Sequence, residues 1–283
     1  MKKFTLGAAV VASMALFAGV ASAESHVAAA LTIDGQEINL RAPAPDFLDI
    51  DEVISGWVFR TSETQALQMD DFDNPGMIFV DQAIDNWNTV DGAAGKSCAS
   101  CHEDGPEAFA GLRAELPRWN EEQGSLYNME DYINFCRTER MEAEPWKWAK
   151  PRMDAMVALI SLQSRGMPVN VAIDGPVADI WAQGQELYYT RVGQLDMACA
   201  NCHEDNFGNF IRADHLSQGQ INGFPAYRLK NSKLNSTHAR FKGCMKNIRA
   251  EPFGVGSEEF RALELYVASR GNGLSVEGPS VRN

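Results

Sequence analysis

The chain has 283 residues, with 38 Asp and Glu against 25 Lys and Arg and a formal net charge of −13. That acidity excludes a general nucleic-acid binder, because phosphate recognition needs a broad basic face. The length exceeds one ordinary domain and accommodates two.

Residues 1–23 read as a secretory leader. Lys2 and Lys3 form the positive start, Leu6 to Val20 is mostly apolar, and Ala21-Ser22-Ala23 is a small-x-small cleavage site. The apolar run is short for a retained anchor, and no other segment is long enough to span a bilayer. The expected product is an exported, periplasmic protein with no membrane span. Residues 24–76 read as an N-terminal extension. Pro43 and Pro45 break any early helix, and Asn74-Pro75-Gly76 is a turn. The extension is expected to pack on the first domain with little core of its own.

Met77 to Trp87 predicts a helix leading into Gly95-Lys96-Ser97-Cys98-Ala99-Ser100-Cys101-His102. A polar stretch follows, then Met129 to Phe135 before a lone Cys136. Pro151 suits the first position of a helix whose interior holds Met153, Met156, Val157, Leu159 and Ile160, and Ser164-Arg165-Gly166 ends it. Residues 169–176, between Pro168 and Pro176, read as a linker separating domains at 77–168 and 177–283.

The second domain repeats the plan. Ile180 to Tyr189 is helical and carries Gly184, and Cys199-Ala200-Asn201-Cys202-His203 follows. Next comes a run from His215 to Ala250 with seven Lys or Arg and no Asp or Glu, containing the lone Cys244. Ser257 caps a last helix that ends at Ser269-Arg270-Gly271. The offsets are 101 residues for the first motif cysteine, 108 for the lone cysteine and 105 for the Ser-Arg-Gly tripeptide, which marks an internal duplication.

Cys-x-x-Cys alone fits a zinc half-site or a redox dithiol. Two copies in an exported chain, each followed directly by histidine, point to covalent haem. Cys98 and Cys101 would attach haem 1 and Cys199 and Cys202 haem 2, with His102 and His203 as proximal iron ligands. His26, His215 and His238 lack such context and read as surface or loop residues. For the sixth ligand, Met129, Met141, Met153 and Met245 are available, as are the thiolates of Cys136 and Cys244. A Cys136–Cys244 disulfide is the structural alternative, although equivalent positions of tandem domains normally lie too far apart to bridge. Charges alternate around Cys136, whereas Arg240, Lys242, Lys246 and Arg249 surround Cys244. Those cations favour the thiolate and would draw an anionic substrate, or serve as a solvated face for an acidic partner.

A helix, a haem motif, a segment supplying a distal ligand and a closing helix resemble the class I cytochrome c domain. Gly184 facing Tyr266 is similar to that family's helix crossing. The expected fold is mainly α, with two such domains in tandem. Asn74-Pro75-Gly76, Gly95 to His102, Cys199 to His203 and above all Arg240-x-Lys242-Gly243-Cys244 resemble the SoxA family, dihaem cytochrome c subunits of the thiosulfate-oxidising Sox system. The resemblance implies two haem c groups and a monohaem cytochrome partner, SoxX. It also implies oxidative joining of thiosulfate to a cysteine of the carrier protein SoxYZ, with two electrons passed to an electron-accepting cytochrome. By the same resemblance, Cys244 ligates haem 2 and carries sulfur, Arg240 binds substrate with Lys242 beside it, and Cys136 is the distal ligand of haem 1. An electron-transfer cytochrome without catalysis remains the competing reading. A dihaem peroxidase would need an open haem and an acid-base group that the sequence does not reveal.

Overall fold

Small residues decide where the helices of this chain cross. In the computed structural model, which describes residues 30–283, α5 (Ala178–Tyr189) lies across α8 (Glu258–Ser269) at Gly184. A Cβ on Gly184 would stand 2.0 Å from the carbonyl oxygen of Ala262 and 2.9 Å from the Tyr266 Cβ. Glycine in a helix costs about 1 kcal/mol relative to alanine, and here only glycine permits the approach. The first half repeats the crossing with α2 (Met77–Asn88) against α4 (Pro151–Leu162), and Ala83 is fully buried at the position 101 residues before Gly184.

Capping sets the helix limits. The Ser257 hydroxyl accepts from the Phe260 amide at the start of α8, and Pro151 opens α4 where a missing N–H costs nothing. Phe260, Leu265 and Tyr266 are fully buried in the second core, and Met153, Met156 and Ala158 in the first. Each large side chain so buried contributes about 1.5–3 kcal/mol. The leader expected at residues 1–23 lies outside the described residues.

Short strand pairs, which the periodicity did not reveal, occupy the loops. β5 (Arg118–Asn120) pairs with β6 (Ser125–Tyr127), and 108 residues later β9 (Ala226–Arg228) pairs with β10 (Lys233–Asn235). Each hairpin leads directly into a capped helix, α3 (Met129–Phe135) behind Asn128 and α7 (Thr237–Asn247) behind Ser236. The C-terminal strand β11 (Ser280–Arg282) adds to β9 in parallel. The hairpin β7 (Phe210–Ile211) and β8 (Asp214–His215) stands between the second Cys-x-x-Cys-His motif and β9.

The N-terminal segment departs from expectation. Strands β1 (Ala30–Ile33) and β2 (Gln36–Asn39) enclose a small core of Leu31, Ile33, Ile38, Leu40 and Trp57. Strands β3 (Arg41–Pro43) and β4 (Glu52–Ile54), with the short helix α1 (Ser62–Ala66), complete it. Its polar groups bond mainly to the second half and the C-terminal segment. The Ile54 amide donates to Gln218 Oε1 (2.7 Å), Gln68 Nε2 to Glu277 Oε2 (2.8 Å) and Asn74 Nδ2 to the Pro279 oxygen (2.9 Å). The 169–176 segment is packed as well, with Val169 and Val171 buried and the Val169 amide donating to the Leu274 oxygen at 2.8 Å.

His238 reverses its expected place. It is buried, with Nε2 3.0 Å from Glu264 Oε2, which also accepts from Asn128 Nδ2 at 2.6 Å. Arg261 of α8 pairs with Asp131 of α3 (Nη2–Oδ1 2.7 Å), so buried polar groups join the two halves.

Candidate functional site

The second motif folds as α6 (Cys199–His203), and Asn201 Oδ1 accepts from the Ala198 amide (2.9 Å) to start that single turn. His203 Nδ1 lies 2.8 Å from the Ser217 oxygen. A carbonyl can only accept, so Nδ1 donates to it and the ring is held in place. Cys244, in α7, comes within hydrogen-bonding reach of the His203 ring. Gly219, at φ +81°, lies against that ring, where a Cβ would stand 2.9 Å from its Cγ. Cys199 belongs to the apolar cluster around Tyr188 and Tyr266. The Glu204 carboxylate following the motif pairs with fully buried Arg270 and accepts from Tyr189 OH (2.9 Å), which ties α6 to α8 and α5.

Arg240 precedes Cys244 by one helical turn and shares its face, whereas Lys242 is exposed and lies two residues out of phase with both. The structure therefore brings Arg240, Cys244 and His203 together but not Lys242. Burial pushes the Cys244 thiol up, but Arg240, the His203 ring and Arg228 outweigh it and hold it down at about 7. The Cys199 thiol goes the other way, pushed up to about 12 by burial and by Cys244 and Cys202.

The first motif surrounds a cavity of about 460 Å³, within the range of cofactor pockets. Cys98, Cys101 and His102 form one side, Cys136 and Met141 another, and Trp87, Phe109, Ile133 and Met156 supply apolar walls. His102 packs edge-on against Phe109, centroids 4.8 Å apart, and burial lowers its pKa. Cys136 opens a π-helical turn, Cys136–Arg140, that continues α3. Single π turns are frequent at functional sites because they re-aim one side chain. Here burial raises the Cys136 thiol, with Arg140 only partly opposing it. Arg137 is already engaged, by Asp91 (2.7 Å), the Glu144 oxygen (2.8 Å) and the face of Trp146 (4.2 Å).

Three cysteines stand at each motif, and Cys136 and Cys244 are not joined by a disulfide. Met153 is fully buried in the core, while Met129 and Met141 line the first cavity. Paired thiols and a histidine on one side, a lone thiol opposite and apolar walls fit a covalently held haem. Sequence reading left Arg228 in the general basic run and passed over Arg60 entirely. Both bear on this site, through contacts made by strand pairing and by the N-terminal segment.

Crossed helix pairs enclosing Cys-x-x-Cys-His motifs define a protein of tandem cytochrome c domains. The model of the family described as "SoxA/TsdA, cytochrome c domain" matches residues 82–169 and 183–276. The chain is 59% identical over 256 residues to the L-cysteine S-thiosulfotransferase subunit SoxA of Rhodovulum sulfidophilum, covering 89% of each chain. It is 60% identical over 249 residues to the same subunit of Paracoccus pantotrophus, covering 87% of this chain and 86% of the relative. The crystal structure of SoxXA from P. pantotrophus superposes with a TM-score of 0.86 at 58% identity, over 90% of this chain and 97% of that chain. The chain belongs to the SoxA family of L-cysteine S-thiosulfotransferase subunits. Among the described residues, no helix is long and apolar enough to cross a membrane.

Proposed function

We propose that this chain is the dihaem subunit of a thiosulfate-conjugating complex and that Cys244 is its reactive thiol. The observation that carries this reading is the contrast between the two lone cysteines. Arg240 lies one helical turn before Cys244, with His203 and Arg228 near the thiol, whereas neutral Tyr132 holds the equivalent position before Cys136. A thiolate is the form that accepts or transfers sulfur.

Cys98, Cys101, His102 and Cys136 would hold one haem c, and Cys199, Cys202, His203 and Cys244 another. When bound, haem supplies one-electron acceptor chemistry. Arg240 presents a planar fork suited to an oxyanion and orients thiosulfate with its outer sulfur toward Cys244. The Cys244 thiolate joins that sulfur, giving a cysteine S-thiosulfonate and releasing two electrons. A carrier thiolate then attacks the sulfane sulfur between Cys244 Sγ and the sulfonate, so the Sγ–S bond breaks, Cys244 leaves as thiolate and the carrier sulfur keeps the S–SO₃⁻ group. Both steps balance, and the electrons pass to a cytochrome acceptor.

The partner proposed is a monohaem cytochrome of the SoxX type, supported by the likeness to the SoxXA complex. The carrier proposed is SoxYZ, and the site of action is the periplasm, reached through cleavage after Ala23. The test is thiosulfate-dependent cytochrome reduction by the purified complex with carrier present. Activity that disappears without carrier supports conjugation. Electron exchange with cytochromes and no response to thiosulfate would leave only an electron-transfer role.

A further inference from the structure

The duplication permits a position-by-position comparison of the two sites. An offset of 108 superposes β5–β6 on β9–β10, Cys136 on Cys244, Tyr132 on Arg240 and Asn120 on Arg228. Two neutral residues of the first site are thus arginines in the second, on the strand and helix that frame Cys244. A third arginine, Arg60, arrives from the N-terminal segment. Phe59 anchors it by packing edge-on against His215 (5.4 Å) and Phe207 (6.5 Å), and the Arg60 Nη2 donates to the His215 oxygen.

These cations lack acidic side-chain partners. Among the described residues, none of Arg60, Arg228 and Arg240 forms an ion pair with an Asp or Glu side chain, although the chain carries a net charge of −13. Asp214, the acid whose charge bears on both Arg60 and Arg228, pairs with neither. Arg60 Nε is buried with no partner, and Arg228 uses Nε for the Asn283 oxygen (2.8 Å). Arg282, across the strand pair from Arg228, is already taken by Glu277 and Gln68 (both 2.7 Å). Burial and the charges of Arg282, Arg240 and Arg228 depress Arg60 to about 10. Like charges gathered half-buried with no Asp or Glu side chain among them are costly unless an anion joins them.

We propose that Arg60 and Arg228 join Arg240 in a three-guanidinium oxyanion cradle beside Cys244, one arm of which comes from outside the two cytochrome domains. The inference rests on the sulfur-transfer reading for its location. Its ligand is an oxyanion presenting two or three oxygens, and two sources share that chemistry: the sulfonate end of thiosulfate, or a carboxylate of the haem held by Cys199 and Cys202.

The test uses the full haem-loaded complex with Arg60→Gln, Arg228→Gln and the corresponding Lys variants. Three quantities are measured: KM for thiosulfate at saturating carrier, the rise in Tm on adding thiosulfate, and the reduction potential of the second haem. If the cradle takes substrate, each Gln variant should raise KM roughly ten- to a hundred-fold and lose most of the thiosulfate-dependent Tm rise. Lys should restore part of both. If it takes the haem carboxylate, KM should hold while the potential falls, because the oxidised haem loses less from removal of a nearby cation. Gln variants that keep haem content and anion-free Tm, yet leave all three quantities at wild-type values, overturn the cradle. If a Gln variant does not fold, the Lys variant decides, since loss of the planar fork should still raise KM or shift the potential. A wild-type complex inert to thiosulfate would refute the sulfur-transfer reading alone, and the potential arm would still judge the cradle.

Discussion

Gly219→Ala concentrates its effects on His203, the histidine proposed to hold the second haem. At φ +81° an alanine pays about 1–2 kcal/mol for the left-handed backbone. Its Cβ would also stand 2.9 Å from His203 Cγ and 3.0 Å from Nδ1, below ordinary contact. The ring cannot simply swing aside, because Nδ1 is tied to the Ser217 oxygen at 2.8 Å. Relief therefore costs either that hydrogen bond, about 1 kcal/mol, or an overpacking strain of about 1–3 kcal/mol. The sum is roughly 2–5 kcal/mol, or a Tm loss of roughly 5–15 °C for a domain of this size. Optical and magnetic spectra of the purified chain should show altered ligation at the second haem and an unchanged first haem. A variant with wild-type Tm and identical spectra at both haems would refute the geometry assigned to His203.

Arg240→Ala should lower kcat/KM for thiosulfate roughly ten- to a hundred-fold, and Arg240→Lys should recover only part. A defect relieved by carrier concentration alone would mean that Arg240 docks the carrier instead. Cys244→Ser should abolish sulfur transfer in a chain that still folds, while Cys136→Ser should alter the first haem and leave transfer partly intact. Equal losses from both would contradict the asymmetry between the sites. Asp154 is buried, its Oδ1 has no hydrogen-bond partner, and burial together with Glu130 raises its pKa to about 8. The native state then holds a proton that the unfolded chain releases near pH 4, so stability should fall as pH rises from about 4 to 8. The slope from this group is at most about 1.4 kcal/mol per pH unit. Urea titrations of Asp154→Asn should show a flatter profile over that window, and an unchanged slope would contradict the assignment.

The parts legible from sequence are those fixed by local spacing. The Cys-x-x-Cys-His motifs and the Pro151 and Ser257 helix starts follow from residues close in sequence, and Gly184 facing Tyr266 follows from the resemblance to the class I cytochrome c domain. What escaped depends on distant partners. His238 looks like an ordinary polar residue until Glu264 and Asn128 are seen around it, and Trp148 packs on its ring 5.1 Å away. The strands at 226–228 and 280–282 are three residues each, too short for a periodic signal, and their pairing spans more than fifty residues. The N-terminal segment has a small core that its sequence does not reveal, because its polar groups find partners mainly in the second half and the C-terminal segment. Lys242 shows the opposite error. Proximity in sequence to Cys244 suggested a role, but helical phase turns it away from the face that Arg240 shares with the thiol.

The most direct test of the account is peptide mass analysis of the haem-loaded complex stopped during thiosulfate turnover, comparing the peptides that contain Cys244 and Cys136. The account predicts added sulfur on the Cys244 peptide, removable by excess carrier, and none on the Cys136 peptide. Steady turnover with Cys244 never modified, or equal modification at Cys136, would contradict it.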